Sequence, residues 1–470
     1  MTILERTLAL PPRRQARWLG IGLMVVVVVT ATRLAPAVRP TLEDPPGVIS
    51  TDRAALSLPG DMVPASGATG LVPPDERIAF WEPRVAADPR DYLSALHLAD
   101  AYLDRARATA DLADLQRAEA VLAQAAVIAP DPLLVVPRQA QVAFSLHDFA
   151  RAAALADEVL AGTPDDLAAL AVAGDARLET GDLTGARQHY DRLATLAPSA
   201  PVWSRLARLA FLEAKPDLAL ALVERAIGDA EANGFAEEGA FYRYQLGELH
   251  RASGDLASAA TAYESALAAS PGHPAATVGL AMVREGQDRR GEAIALLEDA
   301  TSRVPTPEAV AALGDLYLLT GDGGAADRQY ALVERIGEVA QATGSVYDRQ
   351  LVLFAADHDR NVFAAVAAAR AELEVRQDIY AWDALAWALF RAGRLDEAAE
   401  AAAHALVLGT PDPRLAYHGG MIAAARGETE AARQYLTRAL EGAAYLPPLQ
   451  VPIAQGALAA LDGVQSQVPE

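Results

Sequence analysis

The chain has 470 residues, of which 52% are hydrophobic and 6% aromatic, and its 40 basic and 62 acidic side chains give a formal net charge of −22. This excess of negative charge, with Lys215 as the single lysine, leaves no surface suited to neutralising a phosphate backbone, so no nucleic-acid partner is expected. Because cysteine is absent, disulfides, thiolate metal sites and cysteine nucleophiles are excluded.

The N-terminus has the pattern of a membrane segment. Residues 1–17 form a basic segment, and residues 18–35 contain an uncharged run from Trp18 to Thr32. As a helix this run would reach about 22 Å, short of a bilayer core of about 30 Å, unless it continues to Ala37. Two interpretations remain open: a transmembrane anchor, or a secretory signal cleaved near Ala35. We favour the anchor because Arg33 lies where the cleavage region of a signal is usually uncharged.

The distribution of arginines predicts the orientation of this segment. Four arginines precede the apolar run and two follow it closely, which predicts a cytoplasmic N-terminus. The rest of the chain would then be extracytoplasmic, held by one span in the cytoplasmic membrane of a bacterium, or secreted if the segment is cleaved. Residues 36–75 are rich in proline and glycine and are predicted to form a tether.

The remainder of the chain is repetitive. Prolines stand at 130, 164 and 198, and again at 271 and 305, so that 34 residues separate neighbours within each group. Four glycines mark the middle of a finer pattern: Gly181, Gly254, Gly321 and Gly393. Small residues precede them by seven positions (Gly174, Gly247, Gly314, Ala386), alanines follow by five (Ala186, Ala259, Ala326, Ala398), and tyrosine or alanine follows by nine (Tyr190, Tyr263, Tyr330, Ala402).

Each position of the pattern has a physical role in a pair of antiparallel helices. Small residues allow the two helices to approach closely, and the middle glycine can adopt the positive φ that ends the first helix. The final proline cannot continue the second helix, so the chain turns into the next unit. A five-residue insertion near Asn233 and Gly234 keeps the register between residues 198 and 271.

These strings resemble the tetratricopeptide repeat family, most closely in Leu246-Gly247, Gly254-Asp255, Ala259, Tyr263, Ala266-Leu267 and Pro271. The resemblance implies an all-α, right-handed superhelical solenoid of antiparallel helix pairs, with about ten repeats over residues 76–444. The units over 199–232 and 340–378 depart from the pattern. Residues 445–470 are expected to supply a capping helix, from Ile453 to Leu461, and a tail.

The sequence offers little for catalysis or metal binding. Eight histidines are dispersed, and only Asp357-His358-Asp359 forms a local cluster, whose three successive side chains would point in different directions. Phosphate loops and nucleophile elbows are absent, and many acidic residues, such as Asp91, Asp165, Asp255 and Glu308, stand at predicted helix starts. We therefore expect no catalytic residues, no cofactor and no bound metal.

The resemblance also places partner-binding residues on the inner, concave face, which the first helix of each pair lines in this family. The candidates are Tyr380, Asp383, Trp387, Phe390 and Arg391 in one group, and Phe241, Tyr244, Glu248 and Arg251 in the other. Trp387 and Phe390 lie three residues apart and share one helix face. They would either bind an apolar segment of a partner or pack against the neighbouring repeat.

The expected function is a non-catalytic scaffold that binds a protein or peptide partner, with the membrane contacted through residues 18–35. Two alternatives are a secreted α/α enzyme acting on polysaccharide and a self-assembling envelope component. An enzyme should show one deep pocket with convergent carboxylates, whereas a scaffold should show a long open groove.

Overall fold

The fold of this chain is seen in a computed structural model that describes residues 72–109, 111–234, 236–342 and 349–465. The predicted membrane segment and nearly all of the predicted tether lie outside these residues. Within the described ranges the chain forms 22 α-helices and two short 3-10 helices, with no strand. No helix in this part of the chain is long and apolar enough to cross a membrane.

The helices are numbered here in chain order. They are α1 Pro74–Ala87, α2 Tyr92–Thr109, α3 Leu112–Ile128, α4 Val136–Ser145, α5 Phe149–Gly162, α6 Leu167–Glu179, α7 Leu183–Leu196, α8 Ala200–Leu212, α9 Pro216–Ala232, α10 Ala236–Ala252, α11 Leu256–Ala269, α12 Pro274–Gly286, α13 Arg290–Arg303, α14 Pro307–Leu319, α15 Gly323–Ala342, α16 Arg349–Asp357, α17 Val362–Leu373, α18 Ile379–Arg391, α19 Leu395–Leu406, α20 Pro413–Ala425, α21 Thr429–Glu441 and α22 Gln450–Gln465.

Consecutive helices from α2 to α21 pack as ten pairs, and each pair packs on the next. This arrangement confirms the predicted solenoid of about ten repeats. Helix α1 packs on α2, so the first unit contains three helices. After the last pair, a 3-10 helix over Ala443–Tyr445 leads to α22, which packs on α20 and α21 and is longer than the expected 453–461.

The turn inside a pair requires one residue with positive φ. The four predicted glycines adopt it, with φ from 75° at Gly393 to 85° at Gly321, as does Gly427. Four other turns use a residue with a side chain at the same place: His147, Ala214, Asp288 and Asp359, with φ from 53° to 62°. The requirement therefore belongs to the turn, and glycine is only the commonest way to meet it.

Glycine and tyrosine pack against each other between the two helices of three pairs. A Cβ atom at Gly174, Gly247 or Gly314 would lie 2.4–2.5 Å from the tyrosine ring of the same pair, so a side chain there would displace the ring. The hydroxyls of Tyr190 and Tyr330 then donate to Asp175 and Asp315 at 2.8 Å, one residue beyond the glycine. The predicted close approach of the paired helices is thus confirmed.

The inserted residues near Asn233 lengthen helices instead of forming a long loop. Helices α9 and α10 each contain 17 residues, against 13 or 14 in the neighbouring α8 and α11. Between them the chain turns at Gly234, whose φ is 73°.

The array curves until later pairs contact earlier ones. The backbone N–H of Gln377 donates to the carbonyl of Glu179 at 3.2 Å, and the hydroxyl of Thr410 donates to the carbonyl of Leu212 at 2.6 Å. Arg251 donates from Nη1 to the carbonyl of Ala444 at 3.0 Å. The third pair therefore contacts the segment that precedes the ninth pair. The fourth pair contacts the segment that precedes the tenth, and the fifth contacts the segment that follows the tenth. We call this line of contacts the inter-turn seam.

The seam contains both apolar and charged groups. Ile379 and Leu415 belong to one buried cluster with residues of α6 to α10. Glu179, which is 1% exposed, lies 2.9 Å from a guanidinium nitrogen of Arg208 and 3.1 Å from one of Arg376. Burial alone would raise the pKa of Glu179, but the two arginines outweigh it and lower the pKa. The carboxylate is therefore held ionised within the seam.

Candidate functional site

The inner face of the superhelix contains a central cavity with an empty volume of about 730 Å³. Its walls come from α10, α12, α14, α16 and α20, together with the segment from Tyr445 to Gln450. An apolar side is formed by Val278, Met282, Leu353 and Phe354. The C-terminal segment thus forms part of the wall of this cavity.

Asp357 is one of three acidic residues that line this cavity, with Glu308 and Asp315. Its Oδ1 accepts hydrogen bonds from Trp387 Nε1 at 2.7 Å and from Gln450 Nε2 at 2.8 Å. Burial raises the pKa of Asp357, and nearby His418 and the donor Trp387 only partly offset this effect. Its Oδ2 has no hydrogen bond to any described residue. Asp357 is a carboxylate without an arginine or lysine partner.

His418 lies beside Asp357 and is 2% exposed. Its Nδ1 is 2.9 Å from both carboxylate oxygens of Asp383, and its ring stacks on Trp387 with 4.3 Å between centroids. Nε2 is buried and has no hydrogen-bond partner in the described part of the chain. In the neutral ring, donation from Nδ1 to Asp383 leaves Nε2 as an acceptor that is not used by the fold.

The other histidine of the cavity is fully used. His358 contacts Asp315 through Nε2 at 2.8 Å and the carbonyl of Phe354 through Nδ1 at 2.9 Å. Burial lowers the pKa of His358, but Asp315 and the Phe354 carbonyl outweigh it and raise the pKa. Two acceptors therefore favour a protonated ring whose role is structural.

The local cluster Asp357-His358-Asp359 does not converge. Asp357 contacts Trp387 and Gln450, His358 contacts Asp315, and Asp359 accepts from Arg391. Among the described residues, no group of three or more histidine or acidic side chains is arranged to hold a metal ion.

The first group of predicted partner-binding residues makes mainly intramolecular contacts. Trp387 is 1% exposed, and Asp383 is occupied by His418. Phe390 is half-buried and stacks on Trp387 with 5.1 Å between centroids, while Arg391 is half-buried and donates to Asp359. Tyr380, also half-buried, lies under the guanidinium of Arg349. Trp387 therefore packs against neighbouring repeats, and almost none of its surface is exposed to a partner.

The second group is divided between two sites. Glu248 accepts from Tyr263 and from Arg251, and Arg251 is also used by the seam. Tyr244 is half-buried and stacks on His273 with 5.8 Å between centroids. Phe241 lines a second cavity of about 470 Å³, whose charged groups are Asp175, Glu179, Arg205 and Arg208. Arg251 instead lines the central cavity, so the structure does not bring this group together as one patch.

His418 and Gln450 were missed by the sequence analysis. Gln450 lies beyond the last repeat, and its side chain, with Oε1 buried and unpartnered, reaches Asp357 from 93 positions away. No spacing rule links these residues, because the contact depends on where the C-terminal segment crosses the inner face. In the sequence, the local feature that could have pointed to His418 is its position one helical turn after Arg414 on α20.

Comparisons with known proteins agree on the repeat. Two family profiles, both described as tetratricopeptide repeat, match residues 250–316 in one case and 138–201, 204–274 and 384–447 in the other, together slightly more than half of the chain. No curated protein matches the chain.

Several solved structures are similar in fold. The type IV pilus biogenesis factor PilW is 19% identical, with 47% of this chain and 98% of that chain covered and a TM-score of 0.38. A tetratricopeptide repeat protein from Parabacteroides merdae is 15% identical, with coverages of 56% and 98% and a TM-score of 0.40. The APC/C hetero-tetramer Cut9-Hcn1 is 14% identical, with 82% of this chain and 92% of that chain covered and a TM-score of 0.30. At these identities the likeness concerns the fold alone.

Proposed function

Because the chain belongs to the tetratricopeptide repeat family, we propose that its array is a non-catalytic scaffold that binds a protein partner. We further propose that residues 18–35 hold it in a bacterial cytoplasmic membrane, with the repeats on the extracytoplasmic side. The family assignment is the observation that carries the scaffold function. The arginines at positions 6, 13, 14 and 17, before the uncharged run, support the membrane placement.

The central cavity favours a binding role over hydrolysis of polysaccharide. Glycoside hydrolysis uses two carboxyl groups that flank the bond to be cleaved. Asp315 is 3% exposed at its side chain and is held by Tyr330 and His358. The other two carboxyl groups of the cavity also have partners within the fold, since Glu308 lies 3.7 Å from Arg414 and Asp357 accepts from Trp387 and Gln450.

The orientation can be tested with a reporter that is active only in the cytoplasm, fused after Glu470. The proposal expects no activity from this fusion and full activity from a fusion placed after Arg17. Strong activity after Glu470 would contradict the extracytoplasmic placement.

Partner binding is tested by crosslinking in the native membrane followed by affinity purification. Phe390→Ser should reduce recovery of the partner at least tenfold, since half-buried Phe390 belongs to the proposed inner-face site. Phe363→Ser is the matched control, because Phe363 is 77% exposed on α17. Equal recovery with the parent and both variants would place the partner site elsewhere. Light scattering of the fragment 76–470 tests the self-assembly alternative.

A further inference from the structure

The central cavity presents hydrogen-bond acceptors that the fold leaves unused. His418 Nε2 and Gln450 Oε1 are buried without a partner in the described part of the chain, and both hydrogen bonds that Asp357 accepts end on Oδ1. Both His418 and Gln450 are more than nine-tenths buried, at 2% and 4% exposure. Buried acceptors of this kind are costly unless something in the cavity donates to them.

The donor that fits these three acceptors, whose residues all line one cavity, is a primary ammonium. Such a group has three N–H donors and a positive charge, so it could donate to Asp357, His418 and Gln450 at once. It would also place a cation in direct contact with Asp357, which forms no ion pair with an arginine or lysine of the described residues. A water molecule has only two donors and carries no charge to balance the carboxylate.

The opposite charge is available one helical turn away. Arg414 lies four residues before His418 on α20, so the two side chains share a face with about 5–6 Å between their Cβ atoms. The guanidinium of Arg414 contacts Glu308 only at 3.7 Å and lies 5.0 Å from the ring centroid of Tyr445. It is therefore placed to bind a carboxylate near the ammonium position.

One side of the cavity is apolar. Val278, Met282, Leu353 and Phe354 line the cavity between α12 and α16. A ligand that bears an ammonium and a carboxylate within one helical turn, and also an apolar side chain, is an apolar α-amino acid.

We propose that the central cavity is a binding site for a free apolar α-amino acid, with its ammonium on Asp357, His418 and Gln450 and its carboxylate on Arg414. This site is separate from the protein-binding function proposed above. Binding of the amino acid would neutralise Asp357 and would link α16 and α20 to the C-terminal segment that carries Gln450.

The first experiment is a thermal shift of the full chain, purified in a mild detergent, with L-leucine, L-isoleucine, L-valine, L-methionine and L-phenylalanine, each at about 10 mM. At least one should raise the melting temperature, because a ligand that binds only the folded state stabilises it. No shift with any of the five would overturn the proposal and would indicate a hydrated cavity only.

Calorimetry on variants then tests the ammonium contact and the carboxylate contact separately, with L-leucine as the probe. Asp357→Asn should weaken binding at least tenfold, whereas Asp359→Asn, at a side chain 69% exposed and outside the cavity, should leave it unchanged. Arg414→Met should weaken L-leucine but not L-leucinol, which lacks the carboxylate. N-acetyl-L-leucine, which lacks the ammonium, should not bind. Equal loss in both aspartate variants, or binding of the N-acetyl compound, would contradict the assignment.

Discussion

At the turn between the two helices of a repeat, one residue adopts the left-handed conformation whatever its side chain. His147, Ala214, Asp288 and Asp359 do so at the place where other pairs have glycine. For a residue with a Cβ atom this conformation costs about 1–2 kcal/mol. Those turns therefore store a small strain that the packing of the helices must offset.

Replacing Ala214 by glycine should stabilise the protein by about 1 kcal/mol. Relief of the left-handed strain exceeds the entropy that glycine adds to the unfolded chain, about 0.5–1 kcal/mol. Gly321→Ala is the opposite control, since φ is 85° and no atom lies within 4 Å of the added Cβ. Denaturant unfolding measures both, and a loss of stability in Ala214→Gly would contradict the strain.

His147 should make the stability depend on pH. Burial, with the charge of Arg376 in the seam, lowers the pKa of His147 from 6.5 to about 4. The unfolded state therefore binds a proton first, so stability is full above pH 6.5 and falls as the pH drops towards 4, by up to about 2 kcal/mol at pH 5. His147→Asn, which tolerates positive φ, should gain stability relative to the parent at pH 5 more than at pH 7.5. Parallel pH profiles for the two proteins would refute the effect.

At the scale of single residues, spacing predicted the glycine turns but not their substitutes. A 34-residue period identifies Gly181 and Gly254 because glycine at that position stands out. Ala214 and Asp288 are common residues inside ordinary helical sequence, and nothing in their type signals a left-handed turn. For Trp387, residue type and helix face could not decide between a partner and packing, because His418 and Asp357 come from other repeats.

At the scale of the helix pair, close packing depends on small residues facing each other. Ala259 on α11 and Ala398 on α19 are fully buried between helices. Three pairs place a tyrosine of the second helix over a glycine of the first and use its hydroxyl to bind an acidic residue. This contact was not predicted in full, since the sequence indicated the small residue and the tyrosine but not the acidic acceptor.

Ala259→Leu should destabilise the array by about 1–3 kcal/mol, because the added methylenes have no room between α11 and the neighbouring helices. Ala398→Leu should behave in the same way. Ala257→Leu is the matched control, since Ala257 lies on the same helix and is exposed. Thermal melts in which Ala257→Leu and Ala259→Leu lose the same stability would show that the buried face of α11 is assigned wrongly.

At the scale of the whole molecule, the seam distinguishes this array from an open solenoid. Local periodicity predicted the pairs and their number, because each pair is defined by neighbours in sequence. The curvature that brings Glu179 to Gln377 accumulates from small rotations between many pairs, and no single motif encodes it. The same curvature decides which repeats come together to line the two cavities described above.

Gly254→Ala should disturb the seam specifically. Its added Cβ would lie 2.1 Å from the carbonyl oxygen of Glu441, which belongs to the other side of the seam. Gly321→Ala has the same left-handed strain without such a neighbour. We expect Gly254→Ala to lose about 1–3 kcal/mol more than Gly321→Ala and to increase the radius of gyration in small-angle scattering. Equal losses of stability in the two variants and an unchanged radius of gyration would mean that the seam accommodates the added Cβ atom without a loss of free energy.

The seam also has a consequence for the folding of the protein during its synthesis on the ribosome. Arg251 and Leu212 meet partners that lie 193 and 198 positions later in the chain. At a synthesis rate of about 5–20 residues per second, those partners emerge about 10–40 s after the pairs that need them. The early pairs must therefore persist with an incomplete edge, and the last step of folding closes one of the longest loops that the chain contains.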